Sequence, residues 1–437
     1  MISSWLTNLR YRSVSAAVIA VAVLVALLTS LQPARASGAA AAGAGGRRVS
    51  PYTALSQAQR ADLMSIAQRT WKFYTFDVDP ATNLPMDNLT FAGGSATPTA
   101  YGRYTSAANI GVYLWAVVSA KDLGLISPAQ ARARLAATLT EVSHLKRYDG
   151  FLYQWYDTTN GNVLTNPGQG DCTETTPAFD NCFFLSNVDN GWYASGLIVV
   201  REAMPELRPL VDSLMAPMNF GLFYDNRAET HCNTNPAIPG NQPTGQMFGG
   251  YYVGLPPYAG SNWTHYYHNG ALYSDPRISA YIGMGLHQMP GNVWWRSWRE
   301  LPPKAPFPDC QATDPDFSWQ GQWPMGGHWQ TYTDPQSGQT FPVWEGHYTY
   351  PGTHLTFIPT FAGGMFEGLM ANLVVPETAW GPRSFGLDDL RWTRIRGRLA
   401  VVLVDDDRRG QPHHRRGRAP EPRARSVHDH GGAGQRA

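Results

Sequence analysis

The chain has 437 residues, a formal net charge of +1, and charged residues at only 15% of its length. So weak a charge excludes a broad basic surface for nucleic acid over the main body. Aromatic residues make up 12% of the chain, and it also contains 43 Gly and 33 Pro. Low charge, many rings and many loop formers together favour an extracellular protein with a ring-lined cleft.

The N-terminal residues predict export. Two arginines precede an apolar run over Val14–Leu28, and Ala34-Arg35-Ala36 provides a small-x-small cleavage motif. We expect a signal peptide over residues 1–36 and a flexible Ala/Gly-rich linker over residues 37–54. An uncleaved anchor would need about 20 consecutive apolar residues and is less favoured. The expected product is secreted, or held in a bacterial cell envelope, with no membrane segment after cleavage.

Four cysteines follow in the exported part, and an even number in an oxidising compartment favours disulfides over free thiols. The preferred pairing of the three that are possible joins Cys172 to Cys182 and Cys232 to Cys310. A zinc site is less favoured, because no CxxC or HxxxH spacing accompanies the cysteines. We expect these disulfides to hold loops together and to take no part in chemistry.

Apolar residues with helical spacing recur along the chain, whereas no alternating strand pattern is strong enough to compete. The Ser127-Pro128 pair marks one helix start with a cap and a proline in the first turn. The predicted helices cover Leu55–Tyr74, Asn109–Asp122, 127–145, Asn187–Glu202, Leu207–Met218, Ile278–His287 and Gly363–Val375. Helices joined by long, aromatic, Gly/Pro-rich loops predict an all-α protein, an α/α toroid whose loops build a cleft.

From Arg391 the composition changes: the tail is rich in Arg, lacks Lys, and has no Phe, Tyr or Trp after Trp392. The composition favours a disordered tail over residues 393–437. An arm that binds nucleic acid or another polyanion is the alternative reading. A reading-frame shift in a GC-rich gene would produce the same composition, and resequencing the locus tests that hypothesis.

The segment from Gly150 to Asp157 reads Gly-Phe-Leu-Tyr-Gln-Trp-Tyr-Asp and places one carboxylate among four aromatic rings. Sugars present flat apolar faces edged with hydroxyls, so sites that handle them combine aromatic planes with a few acids. A buried aromatic strand or helix end with a solvated Asp is an equally good explanation of this segment alone. Similar clusters elsewhere in the chain favour the saccharide interpretation.

Three further acids have settings that suggest chemistry. Asp189, in Leu185-Ser-Asn-Val-Asp, stands at a helix start, where an Asp also serves simply as a cap. Asp275 precedes a proline, again a common helix start, but His268 lies upstream and Arg277 two residues on. Glu367 lies inside an apolar helix, where burial is costly unless the acid is paired or protonated. Either a catalytic role or an internal ion pair would explain an acid at position 367.

Other chemistries have weaker support. His265 and His268 are three residues apart, but no acid completes a recognisable zinc set, so we predict no metal. A Gly-x-Ser-x-Gly motif is absent from the sequence, and so are the glycine loops that bind phosphates or dinucleotides. We therefore predict no cofactor. The tryptophans serve either as sugar platforms or as core residues.

The order of these motifs resembles the glycoamylase-like domain of bacterial endo-β-1,2-glucanases and cyclic β-1,2-glucan synthases. The resemblance covers roughly Leu55 to Trp392. It rests on segments that begin at Tyr104, Lys121, Gly150, Leu185, Ser274 and Gly363. The resemblance implies an (α/α)6 barrel over residues 55–392 and hydrolysis of β-glucosidic bonds by paired acids. Members of the family continue with further helices where this chain has its Arg-rich tail, so we expect a barrel incomplete at its C-terminus.

The sequence therefore predicts a glycoside hydrolase, acting as a monomer on a polysaccharide or oligosaccharide, without nucleic acid as a partner. Asp275 would protonate the leaving oxygen and Asp189 or Glu367 would activate water, in an inverting mechanism. The predicted substrate contacts are Asp157, Trp155, Tyr153, Trp192, Trp263, His265, His268 and Arg277. A noncatalytic glycan-binding or envelope protein is the alternative, and a lyase is a third and weaker one.

Overall fold

A computed structural model describes most of the chain between residues 55 and 377. The described residues are 55–173, 182–227, 244–254, 261–264, 268–297, 299, 328–334, 337–344, 348–349, 356–357, 365–375 and 377. The predicted signal peptide, linker and Arg-rich tail lie outside them. The predicted domain boundaries stay predictions.

Helices dominate this part of the chain, and the seven predicted ones are found within a few residues of their expected limits. The α-helices are α1 (Gln57–Phe76), α2 (Ala107–Asp122), α3 (Pro128–His144), α4 (Asn187–Ala203), α5 (Arg208–Met215), α6 (Arg277–Gly285), α7 (Asn292–Arg296) and α8 (Met365–Leu369). A 3-10 turn over Met370–Leu373 continues α8. Helix α7 was not predicted, because it lies in a Pro- and Trp-rich region without clear periodicity.

The helices form two layers. Helix α2 packs along α4, and α4 packs along α6, while α3 and α5 lie against α2 and α4 respectively. Helix α2 buries side chains almost all round, as expected of an inner helix, whereas α3 buries one stripe, including Leu135, Leu139 and Val142. Closure of these layers into a ring of six helix pairs stays a prediction.

Serine caps set the starts of the main helices. Ser56 and Ser127 each form a capping box with a glutamine three residues later. Ser106 accepts the backbone N–H of Asn109 at the start of α2, and Ser186 accepts that of Asp189 at the start of α4. Because α2 and α4 run side by side, these two capped ends lie at the same end of the layer.

Glycines allow the inner helices to approach closely. A Cβ on Gly111 would lie 2.2 Å from the Trp192 carbonyl oxygen, and one on Gly196 would lie 2.5 Å from the carbonyl oxygen of Gly111. On the next interface, a Cβ on Gly191 would lie 2.1 Å from Ser279 Oγ. No side chain larger than hydrogen fits at these crossings, so the spacing of α2, α4 and α6 depends on them.

The all-α prediction missed a set of small strands. The described part of the chain contains six two-stranded antiparallel sheets. The strands are β1 (Asn88–Thr90), β2 (Ala100–Gly102), β3 (Tyr104–Ser106), β4 (Arg147–Tyr148), β5 (Phe151–Leu152), β6 (Trp155–Asp157), β7 (Phe184–Ser186), β8 (Gly250–Tyr252), β9 (Trp329–Thr333), β10 (Thr340–Trp344), β11 (Tyr348–Thr349) and β12 (Thr356–Phe357). Two or three residues are too few to show alternation, which is why the sequence pattern did not indicate them.

Two of these sheets position the helix starts. Strand β3 pairs with β6 and runs directly into α2, while β7 pairs with β8 and runs directly into α4. The aromatic segment from Gly150 to Asp157 thus forms two short strands, of which β6 supports the start of α2. Tyr156 is fully buried, as expected of a buried aromatic strand, whereas Trp155 is half-buried, and the saccharide interpretation stays a prediction.

A disulfide joins Cys172 to Cys182, which confirms that predicted pair. Cys232 and Cys310 lie outside the described residues. Among the helices that the structure describes, none has both the length and the apolar composition needed to cross a membrane.

Candidate active site

Asp189 connects the starts of two helices. It is the third residue of α4, and its carboxyl group accepts hydrogen bonds from the Ser186 and Ser106 hydroxyls and from the backbone N–H of Ala108. Burial raises the pKa of Asp189, and these hydrogen bonds act in the opposite direction. The carboxyl group therefore caps α2 as well as α4, a location where the helix dipoles favour negative charge.

Asp275 and Glu367 meet although they are far apart in the chain. The Glu367 carboxylate accepts the backbone N–H of Asp275 at 3.2 Å and the hydroxyl of Ser274. It also shares a hydrogen bond with the Asp275 carboxyl group. Two carboxyl groups can share such a bond only when one of them carries a proton.

The surroundings favour Asp275 as the carboxyl group that keeps the proton. Asp275 is 8% exposed, and its pKa is raised well above the ordinary value. Burial is the largest cause, followed by the charge of Glu367 and the hydrogen bond with it, and the charge of Asp189 adds to them. A carboxyl group whose pKa is raised keeps its proton to higher pH, which suits a proton donor.

Trp192 holds Asp275 from the other side. Its indole Nε1 donates to Asp275 Oδ2 at 3.3 Å, and its ring meets Trp115 edge to face. The Trp192 side chain is only 1% exposed. A ring buried to this extent has no free face on which a sugar could stack. The polar contact of the Trp192 side chain is with Asp275.

Arg277 is a buried clamp between α6 and the α8 segment. Its Nε and Nη2 atoms bond the Glu377 carboxylate, at 2.7 and 3.2 Å. Its Nη1 and Nη2 atoms also bond the carbonyl oxygens of Ser274, Glu367 and Gly368. These bonds use all five guanidinium N–H groups, so Arg277 fixes the position of Glu367 and has no donor left for a ligand.

The aromatic segment lies beside the start of α2. The Asp157 carboxylate accepts the backbone N–H and the hydroxyl of Thr159, both at 2.6 Å, and so closes its own turn. Tyr153 is buried, whereas Trp155 is half-buried and meets Tyr104 edge to face. Of these three predicted substrate contacts, Trp155 has the environment that best suits a sugar.

The remaining predicted contacts form a separate group. Trp263 is half-buried, and its Nε1 donates to the carbonyl oxygen of Leu222 at 2.7 Å. His268 is buried, with Nε2 at 2.9 Å from Asp225 Oδ2 and its ring against Phe248. Burial lowers the pKa of His268, which opposes the effect of Asp225. His265 lies outside the described residues.

Sequence analysis missed Asp87 as a site residue. Asn109, in the first turn of α2, donates to Asp87 Oδ1 at 2.8 Å, and Asn88 donates to Oδ2 at 3.1 Å. Asp77, in the same loop, is only 3% exposed. Its Oδ1 atom has no hydrogen-bond partner within the described structure. The only sequence signal was an Asp-containing loop after the first helix, which is too common a pattern to single out one acid.

The described residues therefore place four acids near the N-terminal ends of the inner helices. Asp87 and Asp189 both bond to the first turn of α2, and Asp189 acts electrostatically on Asp275, which bonds to Glu367. Among the residues with described positions, no three His, Cys, Asp or Glu side chains are grouped closely enough to hold a metal. Carboxyl groups can donate and accept protons, so these four acids offer candidates for proton transfer.

Comparison with known proteins agrees with the motif order. Residues 65–227 match a family described as "Protein of unknown function (DUF3131)". The chain is 34% identical over 147 residues to the cyclic β-(1,2)-glucan synthase NdvB of Rhizobium meliloti (strain 1021). The predicted resemblance is confirmed. The match covers 33% of this chain and only 4% of that much longer protein.

Solved structures with partial similarity have related descriptions. A putative glucoamylase from Bacteroides fragilis is 17% identical, with a TM-score of 0.31 over 40% of this chain and 39% of that one. An endo-β-1,2-glucanase from Chitinophaga pinensis is 17% identical, with a TM-score of 0.29 over 37% and 38%. An endo-β-1,2-glucanase from Talaromyces funiculosus is 10% identical, with a TM-score of 0.40 over 70% and 56%.

Proposed function

We propose that this chain is a glycoside hydrolase that cleaves a β-glucan, with Asp275 as the proton donor. The observation that carries the proposal is the hydrogen-bonded pair of Asp275 and Glu367, with Trp192 on its other side. The sequence match to a cyclic β-(1,2)-glucan synthase supports a β-1,2-linked glucan as the first substrate to test. We also propose that the protein is exported, as its N-terminal residues suggest.

In the proposed reaction, Asp275 donates its proton to the glycosidic oxygen as the bond to the anomeric carbon breaks. Proton donation by a positioned acid typically contributes about 10²–10⁴-fold to the rate. The buried setting of Asp275 keeps the proton in place until the leaving oxygen develops charge. The donor then recovers a proton from solvent.

Glu367 and Asp189 take supporting roles in this scheme. Carboxyl groups of retaining glycosidases lie about 5–5.5 Å apart, and those of inverting ones about 6.5–9.5 Å apart. Asp275 and Glu367 are instead hydrogen-bonded to each other, so Glu367 is not assigned as the partner across a water or a sugar ring. Glu367 raises the pKa of the donor, and Asp189 fixes the adjoining helix starts.

Glycosyl transfer is a second candidate, favoured by the match to a synthase. The same proton donor would serve both reactions, because the bond that breaks is the same. In transfer, a sugar hydroxyl takes the place of water as the acceptor. The products distinguish the two reactions. Hydrolysis increases the number of reducing ends, whereas transfer rearranges the glucan without increasing that number.

The decisive experiment incubates the purified chain with linear β-1,2-glucan and, in parallel, with β-1,3- and β-1,4-glucans. We expect new reducing ends from the β-1,2-glucan and none from the other two. Asp275→Asn should lower kcat by about 10²-fold or more while oligosaccharide affinity, measured by calorimetry, stays within a few-fold.

Asp62→Asn serves as the matched control, because Asp62 is exposed on α1 and should not affect turnover. Equal rates for Asp275→Asn and wild type would reject Asp275 as the donor. Binding of the oligosaccharide without product from any glucan would instead favour the noncatalytic, glycan-binding alternative.

A further inference from the structure

Asp87 is held rigidly at the start of α2. Its backbone N–H donates to the carbonyl oxygen of Tyr104 at 2.8 Å, which fixes the main chain against β3. One carboxylate oxygen accepts from Asn109 and the other from Asn88, and Asn88 is in turn within 2.8 Å of the Tyr104 hydroxyl. The orientation of the carboxylate is therefore set by three other side chains.

This carboxylate is also accessible. Asp87 is half-buried, and each of its two oxygens accepts one amide hydrogen bond. A carboxylate oxygen has two lone pairs, so one position on each oxygen is open to another donor. Tyr104, which orients Asn88, packs its ring edge to face against the half-buried Trp155. Asp87 is thus connected, through Asn88 and Tyr104, to the half-buried aromatic ring of Trp155.

Asp77 provides a second, independent observation. It caps the end of α1, is 3% exposed, and its Oδ1 has no hydrogen-bond partner within the described structure. Leaving a buried polar atom unpaired is costly, typically about 1–3 kcal/mol. Burial and the charge of Asp87 raise the pKa of Asp77 well above its ordinary value. The pair therefore consists of a buried acid with a raised pKa close to the half-buried Asp87.

Asp87 is continuous with the proposed active site. Asn109, which orients it, lies in the same turn of α2 as Ala108, whose N–H bonds Asp189. Helix α4, which begins at Asp189, also carries the Trp192 that bonds Asp275. Asp87 and Asp275 are thus both linked to Asp189, Asp87 through the first turn of α2 and Asp275 through the charge of Asp189 that raises its pKa.

We propose that Asp87 is the water-activating carboxylate of this enzyme, an assignment that rests on the proposed hydrolysis. Asp87 takes one proton from the attacking water while the water oxygen bonds to the anomeric carbon. The bond from that carbon to the leaving oxygen breaks, and Asp275 protonates the leaving oxygen. Asp87 then releases its proton to solvent and Asp275 regains one, so the cycle is balanced and inverts the configuration.

Asp77 is a positioning residue in this scheme, because it meets no substrate. Burial and the charge of Asp87 raise the pKa of Asp77, which disfavours a second negative charge next to Asp87.

The test measures kcat and KM on linear β-1,2-glucan for wild type, Asp87→Asn and the exposed control Asp62→Asn. We expect Asp87→Asn to lower kcat by at least 100-fold with KM changed less than about threefold. Asp87→Ala, assayed with added sodium azide, should recover part of the rate, because azide attacks without needing a base. Its product should be a glycosyl azide of inverted configuration.

The outcomes are distinguishable. Raised KM with unchanged kcat in Asp87→Asn would make Asp87 a substrate-binding residue and overturn the proposal. A low kcat in Asp87→Ala without azide rescue would assign the loss to structure and also overturn it. If wild type cleaves no glucan, the proposed hydrolysis fails and this assignment falls with it. If wild type cleaves glucan and Asp87→Asn does too, only this assignment falls.

Discussion

The carboxyl groups of Asp275 and Glu367 are hydrogen-bonded to each other although 92 residues separate them in the chain. Asp275 precedes α6 and Glu367 lies in α8, and Arg277 ties the two elements together through backbone carbonyls. The proton-holding capacity of Asp275 is therefore a property of how α6 and α8 pack.

Replacing Glu367 with Gln should shift the pH dependence of activity. The charge of Glu367 raises the pKa of Asp275, so its removal lowers that pKa. A general acid works in its protonated form, and the rate falls as pH rises through its pKa. The alkaline limb of kcat/KM against pH should therefore move to lower pH. Glu202→Gln, at an exposed position, is the control, and an unmoved limb in Glu367→Gln would contradict the coupling.

Asp77→Asn should alter the pH dependence of stability. The pKa of Asp77 in the folded protein is raised above its unfolded value, so the native state binds that proton more tightly. This contribution to stability is fully present below the unfolded pKa and is lost as pH rises through the folded pKa. Asn does not titrate, so the variant should gain on wild type by up to about 1.4 kcal/mol per pH unit across that range.

Urea unfolding of the two proteins at a series of pH values between 4 and 9 measures this difference. The free energies of unfolding should be closest at the acid end and diverge as the solution becomes alkaline. A constant difference across the series would show that Asp77 titrates normally.

Arg277→Met should destabilise the protein strongly. The guanidinium is buried and bonds the equally buried Glu377, so the variant removes the positive partner of a buried carboxylate. Removing one partner of such a pair costs about 3–5 kcal/mol. Arg201→Met is the matched control, since the Arg201–Asp212 pair lies at the surface, where water screens it, and should contribute much less to stability. Thermal unfolding of both variants measures the contrast, and similar losses would mean that Arg277 is not a clamp.

Gly111→Ala should force α2 and α4 apart. The added methyl would meet the Trp192 carbonyl oxygen at 2.2 Å. Overpacking of this kind costs about 1–3 kcal/mol, which exceeds the roughly 0.5–1 kcal/mol that Ala gains over Gly in a helix. Gly285→Ala is the control, because a Cβ on Gly285 meets no atom within 4 Å. Chemical denaturation should show a loss of stability for Gly111→Ala alone. Equal stabilities of the two variants would mean that α2 and α4 adjust to the added methyl group.

Local sequence patterns were enough to predict the helices and to single out some of the acids. Apolar spacing, with the Ser127-Pro128 start of α3, predicted α1 to α6 closely, because caps and amphipathic stripes depend on residues close together in the chain. The short strands escaped prediction since two or three residues carry no period. Asp275 and Glu367 were predicted from their unusual settings, but nothing in their local sequence indicated that they would bond to each other.

The sequence by itself determined the approximate positions of the helices, the Cys172–Cys182 pair and a set of acids in aromatic surroundings. Only the tertiary structure decided which acid keeps a proton, which one caps a neighbouring helix, and which is open to solvent. The reason is physical: a carboxyl group's charge state depends on burial and on charges within a few ångströms. Those neighbours come from segments about 80–100 residues away in the chain, brought close by glycines that let the inner helices touch.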